Sequence, residues 1–378
     1  MEYIPSFDFT LIFYLFIVFA SAAFLQLLYL IFIYGRFAFY RRRKQEVEDY
    51  PSVSLVIAAR NESDNLFKNL PSILEQDYPS FEVIVINHQS IDDSNYILQA
   101  YQQVYPHLKV VQVEKNQHLR TGKKLPLTLG IKSAQHEHLL FTDADCVPAS
   151  NQWLKKMARN FTVQKQIVIG YGPYKKEPGL LNSFIRMDTA FIAVNYFSLA
   201  LARVPYMGVG RNLAYTKSLF NKNGGFKSHY SISSGDDDLF IQEAAGNKNY
   251  TIENDPDTYC YSDAKKTWTS YREQKARHYT TTERYKVIKK AVLGIYPLSL
   301  LIMYISFVTL LFDREYRWIS LAVFSFLLII KWIIQGRCLA KIREHSFIAL
   351  FPLLDIVYAC VMPYLYYTTD KSTAKKWK

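Results

Sequence analysis

HLLFTDAD, residues 138–145, is a short apolar run that ends in two carboxylates one residue apart. A run of this length, bounded by polar residues, reads as a buried strand. Similar runs lie on either side of it: SVSLVIAA (52–59), FEVIVIN (81–87), LKVVQVE (108–114) and QIVIGYG (166–172). Helical stretches separate them. Short apolar strands alternating with helices predict an α/β domain with a mainly parallel sheet. In such sheets ligands bind beyond the carboxyl ends of the strands. The polar groups RNES (60–63), HQSIDDS (88–94) and the DAD of 143–145 stand at those ends.

Asp143 and Asp145 can approach one hard cation together. Mg²⁺ or Mn²⁺ prefers oxygen ligands and keeps substrate phosphate oxygens in its shell. A second cluster, GDDDLF (235–240), sets three aspartates side by side. Their repulsion needs compensation by cations or hydrogen bonds. One of them can take the proton of an acceptor hydroxyl; an acidic helix start, favoured by the helix dipole, is the structural alternative.

Outside this region the chain changes character. It has 378 residues, half of them hydrophobic, and a formal charge of +12, yet its mean hydropathy is near zero at −0.05. Apolar and polar blocks are therefore kept apart. Residues 9–34 carry no charge, enough for a helix that crosses a bilayer core. Arg36, Arg41, Arg42, Arg43 and Lys44 follow at once, while Glu2 and Asp8 precede it. Positive charge stays cytoplasmic, so the central domain is expected on the cytoplasmic face of a plasma or inner membrane. Three more apolar stretches, 291–312, 318–334 and 346–367, suggest four spans in all. The tail lysines Lys371, Lys375, Lys376 and Lys378 oppose that count. Asp355, in the last stretch, reads either as a carboxylate bonded to a neighbouring helix or as a contact for an acceptor.

The expected organisation is a membrane anchor over 1–35, a cytoplasmic catalytic domain over 36–290, membrane helices over 291–368 and a basic tail over 369–378. The apolar stretch 179–204 reads as a buried core helix or as a helix lying in the membrane interface. Arg272, Lys275, Arg277, Arg284, Lys286, Lys289 and Lys290 suit a surface against anionic lipid. No nucleic-acid recognition motif accompanies the charge, so nucleic acid is not an expected partner. The four cysteines make no metal or disulfide spacing and are expected to be structural.

Taken together, these residues resemble glycosyltransferase family 2, with its GT-A fold and inverting mechanism. The polysaccharide synthases are members, and ceramide glucosyltransferase looks like a more distant relative. PSVSLVIAARNE resembles the family's first strand and turn, which implies donor contacts at Ala59 and Glu62. RTGKK resembles the segment near the donor nucleotide and implies Lys123. FTDADC resembles the metal motif and implies Asp143, facing the donor as well, and Asp145, with Mg²⁺ or Mn²⁺ as cofactor. YMGVGRNLAYTKSLF resembles the acceptor side and implies Gly210, Arg211 and Asn212. SGDDDLF occupies the place of the catalytic base. Aligned on Leu239 the base is Asp236; aligned on the Gly-Asp-Asp triplet it is Asp237; Asp236 is preferred. QKARH resembles the family's Gln-x-x-Arg-Trp and implies Gln274, Arg277 and His278.

Two positions depart from the pattern. His88 stands where the family carries a carboxylate that holds the donor's base or ribose, with Asp92 and Asp93 as candidate substitutes. His278 replaces a Trp typical of processive synthases. The resemblance implies transfer of a sugar from a nucleotide sugar, a UDP-sugar first, to a lipid-linked or glycan acceptor at the membrane. A processive polysaccharide synthase and a catalytically degenerate assembly subunit, working with other glycan-assembly proteins, are the alternatives.

Overall fold

A computed structural model describes residues 11–42, 49–114, 122–232, 234–246 and 248–370. Glu2, Asp8, Arg43, Lys44 and the four tail lysines lie outside the described residues. In chain order the helices are α1 (Leu11–Tyr29), α2 (Gly35–Ala38), α3 (Ser63–Leu74), α4 (Ser94–Val104), α5 (Lys124–Ser133), α6 (Trp153–Ala158), α7 (Leu180–Leu201), α8 (Lys217–Lys222), α9 (Asp238–Ala244), α10 (Trp268–Thr282), α11 (Val287–Leu310), α12 (Arg317–Lys341) and α13 (Phe351–Thr368). The strands are β1 (Val53–Ala59), β2 (Phe81–His88), β3 (Leu108–Val113), β4 (His138–Asp143), β5 (Cys146–Pro148), β6 (Ile167–Ile169), β7 (Leu213–Thr216), β8 (Tyr250–Ile252) and β9 (Cys260–Ser262). The chain divides into two compact units, one of residues 1–40 and 287–364, the other of 41–286 and 365–378.

The larger unit is built on a seven-stranded sheet in the order β3-β2-β1-β4-β7-β6-β8. All seven residues of β1 are buried, as its unbroken apolar run predicts for a central strand covered on both faces. β1 pairs in parallel with β2 and β4, and β2 with β3. β7 runs antiparallel to β4 and β6. The expected strand at 166–172 is shorter, three residues, because the chain leaves the ladder at Gly170. β5 and β9 form a separate antiparallel pair that begins two residues beyond Asp143–Ala144 and so fixes the exit of β4.

α7 answers the question left open for residues 179–204. It is long and apolar enough to cross a membrane, yet 72% of its most apolar stretch is buried, against 33% for α1–α2, α11 and α12. Its Asp188 accepts from Tyr271 Oη (2.8 Å) and pairs with Lys275 Nζ (2.5 Å). α7 is a core helix. Lys275 is correspondingly buried, so it does not belong to a lipid-facing cationic surface.

In the smaller unit α1 packs along α11. The Gln26 amide donates to Tyr296 O and Ser299 Oγ, both 2.8 Å away, and Phe19 stacks on Phe307. Asp355 of α13 pairs with Lys331 of α12 and accepts from Tyr296 Oη at 2.9 Å. The neighbouring-helix reading of Asp355 therefore describes its contacts. α1, α11 and α12 turn large apolar residues outward, among them Phe24, Ile305, Phe326, Ile329 and Trp332. α13 forms where an apolar segment was expected, but it is not among the helices apolar enough to cross a membrane.

Candidate active site

Register brings the first site residues to one edge. Ala58 lies opposite Asp143 across β1 and β4, and Ala59 opposite Asn87 across β1 and β2. The connections diverge at this point, β1 leading to β2 and β3 on one side with β4 on the other. That is the switch point where α/β sheets open a crevice.

Asp143 and Asp145 leave β4 on the two sides of Ala144, and their carboxylates lie with Cys146 Sγ in a group whose ligand atoms are all within 4.8 Å. The Cys146 thiol is buried and donates to Asp145 Oδ1 at 3.4 Å. Two hard oxygen donors side by side fit Mg²⁺ or Mn²⁺ better than they fit a soft metal. The site already draws in a cation: Lys123 Nζ pairs with Asp143 Oδ1 and lies 3.7 Å from Asp236 Oδ2. Burial alone would raise the Asp143 pKa, but Lys123, then Arg211 and Arg277, hold it below the usual carboxylate range. Burial would lower the Lys123 pKa, but Asp143, then Asp236, outweigh it and raise that pKa.

The three consecutive aspartates have three different surroundings. Gly235 precedes them at φ +97°, a backbone that L side chains rarely adopt, and a Cβ there would meet Leu239 Cδ1 at 2.6 Å. Asp236 faces Lys123. Asp237 caps α9: its Oδ1 accepts from Asp238 N (2.8 Å) and its Oδ2 from Gly210 N (2.9 Å). Burial, with Asp236 and Asp238 beside it, raises the Asp237 pKa to about 7. Asp238 is buried and accepts from Thr281 Oγ1 (2.5 Å) and Tyr285 Oη (2.8 Å), tying α9 to α10. Asp236 is thus the member of the triplet whose carboxylate lies within ion-pair distance of Lys123.

Sequence reasoning passed over Lys124. Its buried ammonium donates to three carbonyls of the loop before the triplet, His229 O (2.6 Å), Ile232 O (3.0 Å) and Ser234 O (2.6 Å). Burial lowers its pKa to about 8, which leaves it protonated at neutral pH. A signal was present: two lysines at a helix start oppose the dipole, so each needs an acceptor nearby. Lys123 finds carboxylates and Lys124 finds the loop.

Arg211 stacks its guanidinium over Tyr174, 4.3 Å from the ring centre, and donates to Ser262 Oγ at 2.9 Å. Gln274 Nε2 donates to the Tyr174 hydroxyl at 3.0 Å. Tyr174, unremarked in the sequence, therefore joins α10 to the segment around Gly210. A Cβ on Gly210 would stand 3.4–3.6 Å from Asp237, Asp236 and Lys123, so Gly210 borders the same spot. Asn212 does not reach it: the fully buried amide accepts from Trp153 Nε1 (3.0 Å) and donates to Tyr171 O and Thr258 O. His278, on the same helix as Arg277, is exposed.

The expected donor contacts near β1 and β2 divide. Glu62 is partly exposed and accepts from Asn65 at 2.5 Å. Ala59 and His88 are fully buried. Burial, then the Arg60 guanidinium, lowers the His88 pKa to about 4, so its ring is neutral. Asp92 binds the turn instead, accepting from Ser63 N (2.9 Å) and Ser94 N (3.2 Å).

Residues 54–215 match the model of glycosyl transferase family 2. The chain carries a family 2 glycosyl transferase domain. A poly-beta-1,6-N-acetyl-D-glucosamine synthase of Staphylococcus epidermidis is 34% identical over 104 residues, 28% of this chain and 24% of the synthase. Glycosyltransferase AglE of Haloferax volcanii is 31% identical over 108 residues, 28% of this chain and 34% of AglE. The chain thus spans about a quarter to a third of the curated relatives it matches here. Among solved structures, the mannosyltransferase PcManGT from Pyrobaculum calidifontis, in complex with GDP-Man and Mn²⁺, aligns with TM-score 0.55 and 20% identity over 89% of this chain and 99% of its own. That likeness places the domain in the GT-A fold.

Proposed function

We propose that the protein is a membrane-bound inverting glycosyltransferase that moves a sugar from a nucleotide sugar to a lipid-linked or membrane-proximal acceptor on the cytoplasmic face. The observation that carries this reading is the line Asp145, Asp143, Lys123, Asp236 at the switch-point edge of the sheet. It sets two hard oxygen donors at one end and a carboxylate base at the other, with an ammonium between them. PcManGT is named as binding GDP-Man and Mn²⁺, which supports a nucleotide-sugar donor and a divalent cation here.

Asp236 takes the proton of the acceptor hydroxyl as that oxygen attacks the anomeric carbon from the side opposite the nucleotide. The bond to the nucleoside diphosphate breaks in the same step. A divalent cation held by Asp143 and Asp145 would supply positive charge to the departing diphosphate. Lys123 and Arg277 add fixed positive charge where the leaving group gains negative charge. Arg211 is held by Tyr174 and Ser262 behind this edge and keeps Asp143 ionised. The apolar outward faces of α1, α11 and α12 support membrane attachment, and with it an acceptor presented at the bilayer surface.

Donor binding tests the metal end by itself. The full-length protein in nanodiscs should bind one nucleotide sugar of a UDP and GDP panel in the presence of Mn²⁺. Asp143→Asn and Asp145→Asn should each weaken this Mn²⁺-dependent binding. Binding that ignores both Mn²⁺ and the two substitutions would refute the assignment.

A further inference from the structure

A pocket of about 190 Å³ opens on the larger unit, lined by Ser228, His229, Gln242, Glu243, Arg284 and Lys286 among others. None of these side chains was placed in the site described above, and the volume exceeds what one water needs. The two stretches that supply most of its wall, 228–232 and 239–243, flank Asp236 in the chain.

Its polar groups are specific. Ser228 Oγ lies 2.7 and 2.8 Å from the two carboxylate oxygens of Glu243 and 2.8 Å from His229 Nδ1. A hydroxyl has one proton and a carboxylate only accepts. Ser228 therefore donates to Glu243, and His229 Nδ1–H donates to Ser228 Oγ. On the other side of the ring the Gly235 carbonyl faces a ring N–H, so His229 asks nothing of a ligand. Gln242 Oε1 accepts from Lys286 N at 3.3 Å, while its Nε2 is buried without a partner. Gln242 is only 4% exposed. Leaving the Gln242 amide unsatisfied in a cavity is costly. Arg284 and Lys286 stand exposed at the rim.

A ligand that satisfies this set brings an acceptor oxygen for Gln242 and negative charge for Arg284 and Lys286. We infer that the pocket binds a phosphate ester. The same chemistry is offered by the headgroup of a glycerophospholipid with a free glycerol and by soluble glycerol phosphate. Lys286 is followed directly by the apolar helix α11, which favours the lipid.

Hydrogen–deuterium exchange on the full chain tests this without reference to sugar transfer. The probes are phosphatidylcholine nanodiscs, the same nanodiscs with phosphatidylglycerol added, and glycerol phosphate with phosphatidylcholine. Protection of residues 228–243 by phosphatidylglycerol alone supports the lipid source; protection by glycerol phosphate as well supports the soluble one. In either case the Arg284→Glu/Lys286→Glu variant should need about tenfold more ligand or greater, the loss of charge-assisted hydrogen bonds. Gln242→Leu, which changes no charge, should weaken binding too. Protection by neither probe, or protection unaltered in both variants, would overturn the inference.

Discussion

Lys123 Nζ stands between two carboxylates from separate parts of the chain, paired with Asp143 and 3.7 Å from Asp236. One ammonium thereby joins the end of β4 to the loop before α9. Removing it deprives Asp236 of this ammonium and leaves Asp143 with only the more distant Arg211 and Arg277. Lys123→Gln should lower turnover by about 10²–10³, the range for losing one electrostatic contact to a transition state. Steady-state rates with a saturating donor check this. A variant within twofold of the parent would show that Lys123 only fills space.

Lys124 acts on the loop alone. Lys124→Met withdraws the donor shared by three carbonyls, so the loop carrying Asp236 loses its anchor. Turnover should fall by about tenfold, in line with the effect of small misplacement of a reacting group, while donor affinity stays near that of the parent. Lys124→Arg should recover part of the rate. Calorimetric titration of the donor, run beside the rate measurement, separates the two effects.

Asp237 gives stability a pH dependence of unusual sign for a carboxylate. Its folded pKa is raised to about 7, against about 3.9 unfolded. Between these values the folded state binds more protons than the unfolded one, so stability falls as pH rises. The melting temperature should drop from pH 5 to pH 7 through this group. Asp237→Asn should flatten that drop, and should lower the melting temperature at pH 5 because the α9 cap is weakened. Thermal unfolding across the pH series reads both effects.

The fold was legible where strands are central. β1, β2 and β4 are nearly continuous apolar runs, and burial on both faces leaves little freedom in reading them, while β3, at the sheet edge and only partly buried, was legible from its shorter β-branched run. β5, β7, β8 and β9 were missed because three or four residues such as YTI or CYS carry too little periodicity; their pairing is decided by distant chain. The carboxylates of the site were visible because like charges set together need a cation or a donor. Asn212 and His88 are both fully buried, which the sequence does not display. A polar side chain at a strand end faces either the cleft or the core, and only packing decides which. Tyr174 and Lys124 act through partners roughly 40 to 110 residues away, which no local pattern displays.

In the smaller unit, Lys331 and Asp355 form a buried pair, with Tyr296 as a third partner. Removing one member of such a pair leaves an uncompensated charge, at about 3–5 kcal/mol, while replacing both with apolar residues is nearly neutral. Lys331→Met and Asp355→Leu should each lower the melting temperature in detergent. The double variant should regain most of the loss. Equal losses that simply add would show that the pair is not coupled.

The most direct measurement is release of nucleoside diphosphate by the full-length protein in nanodiscs with Mn²⁺ and a panel of nucleotide sugars, the parent beside Asp236→Asn. The account predicts release from one donor, reduced by about 10²–10⁴ in the variant, the range for loss of a general base. Equal release by parent and variant, with Asp237→Asn inactive instead, would contradict it.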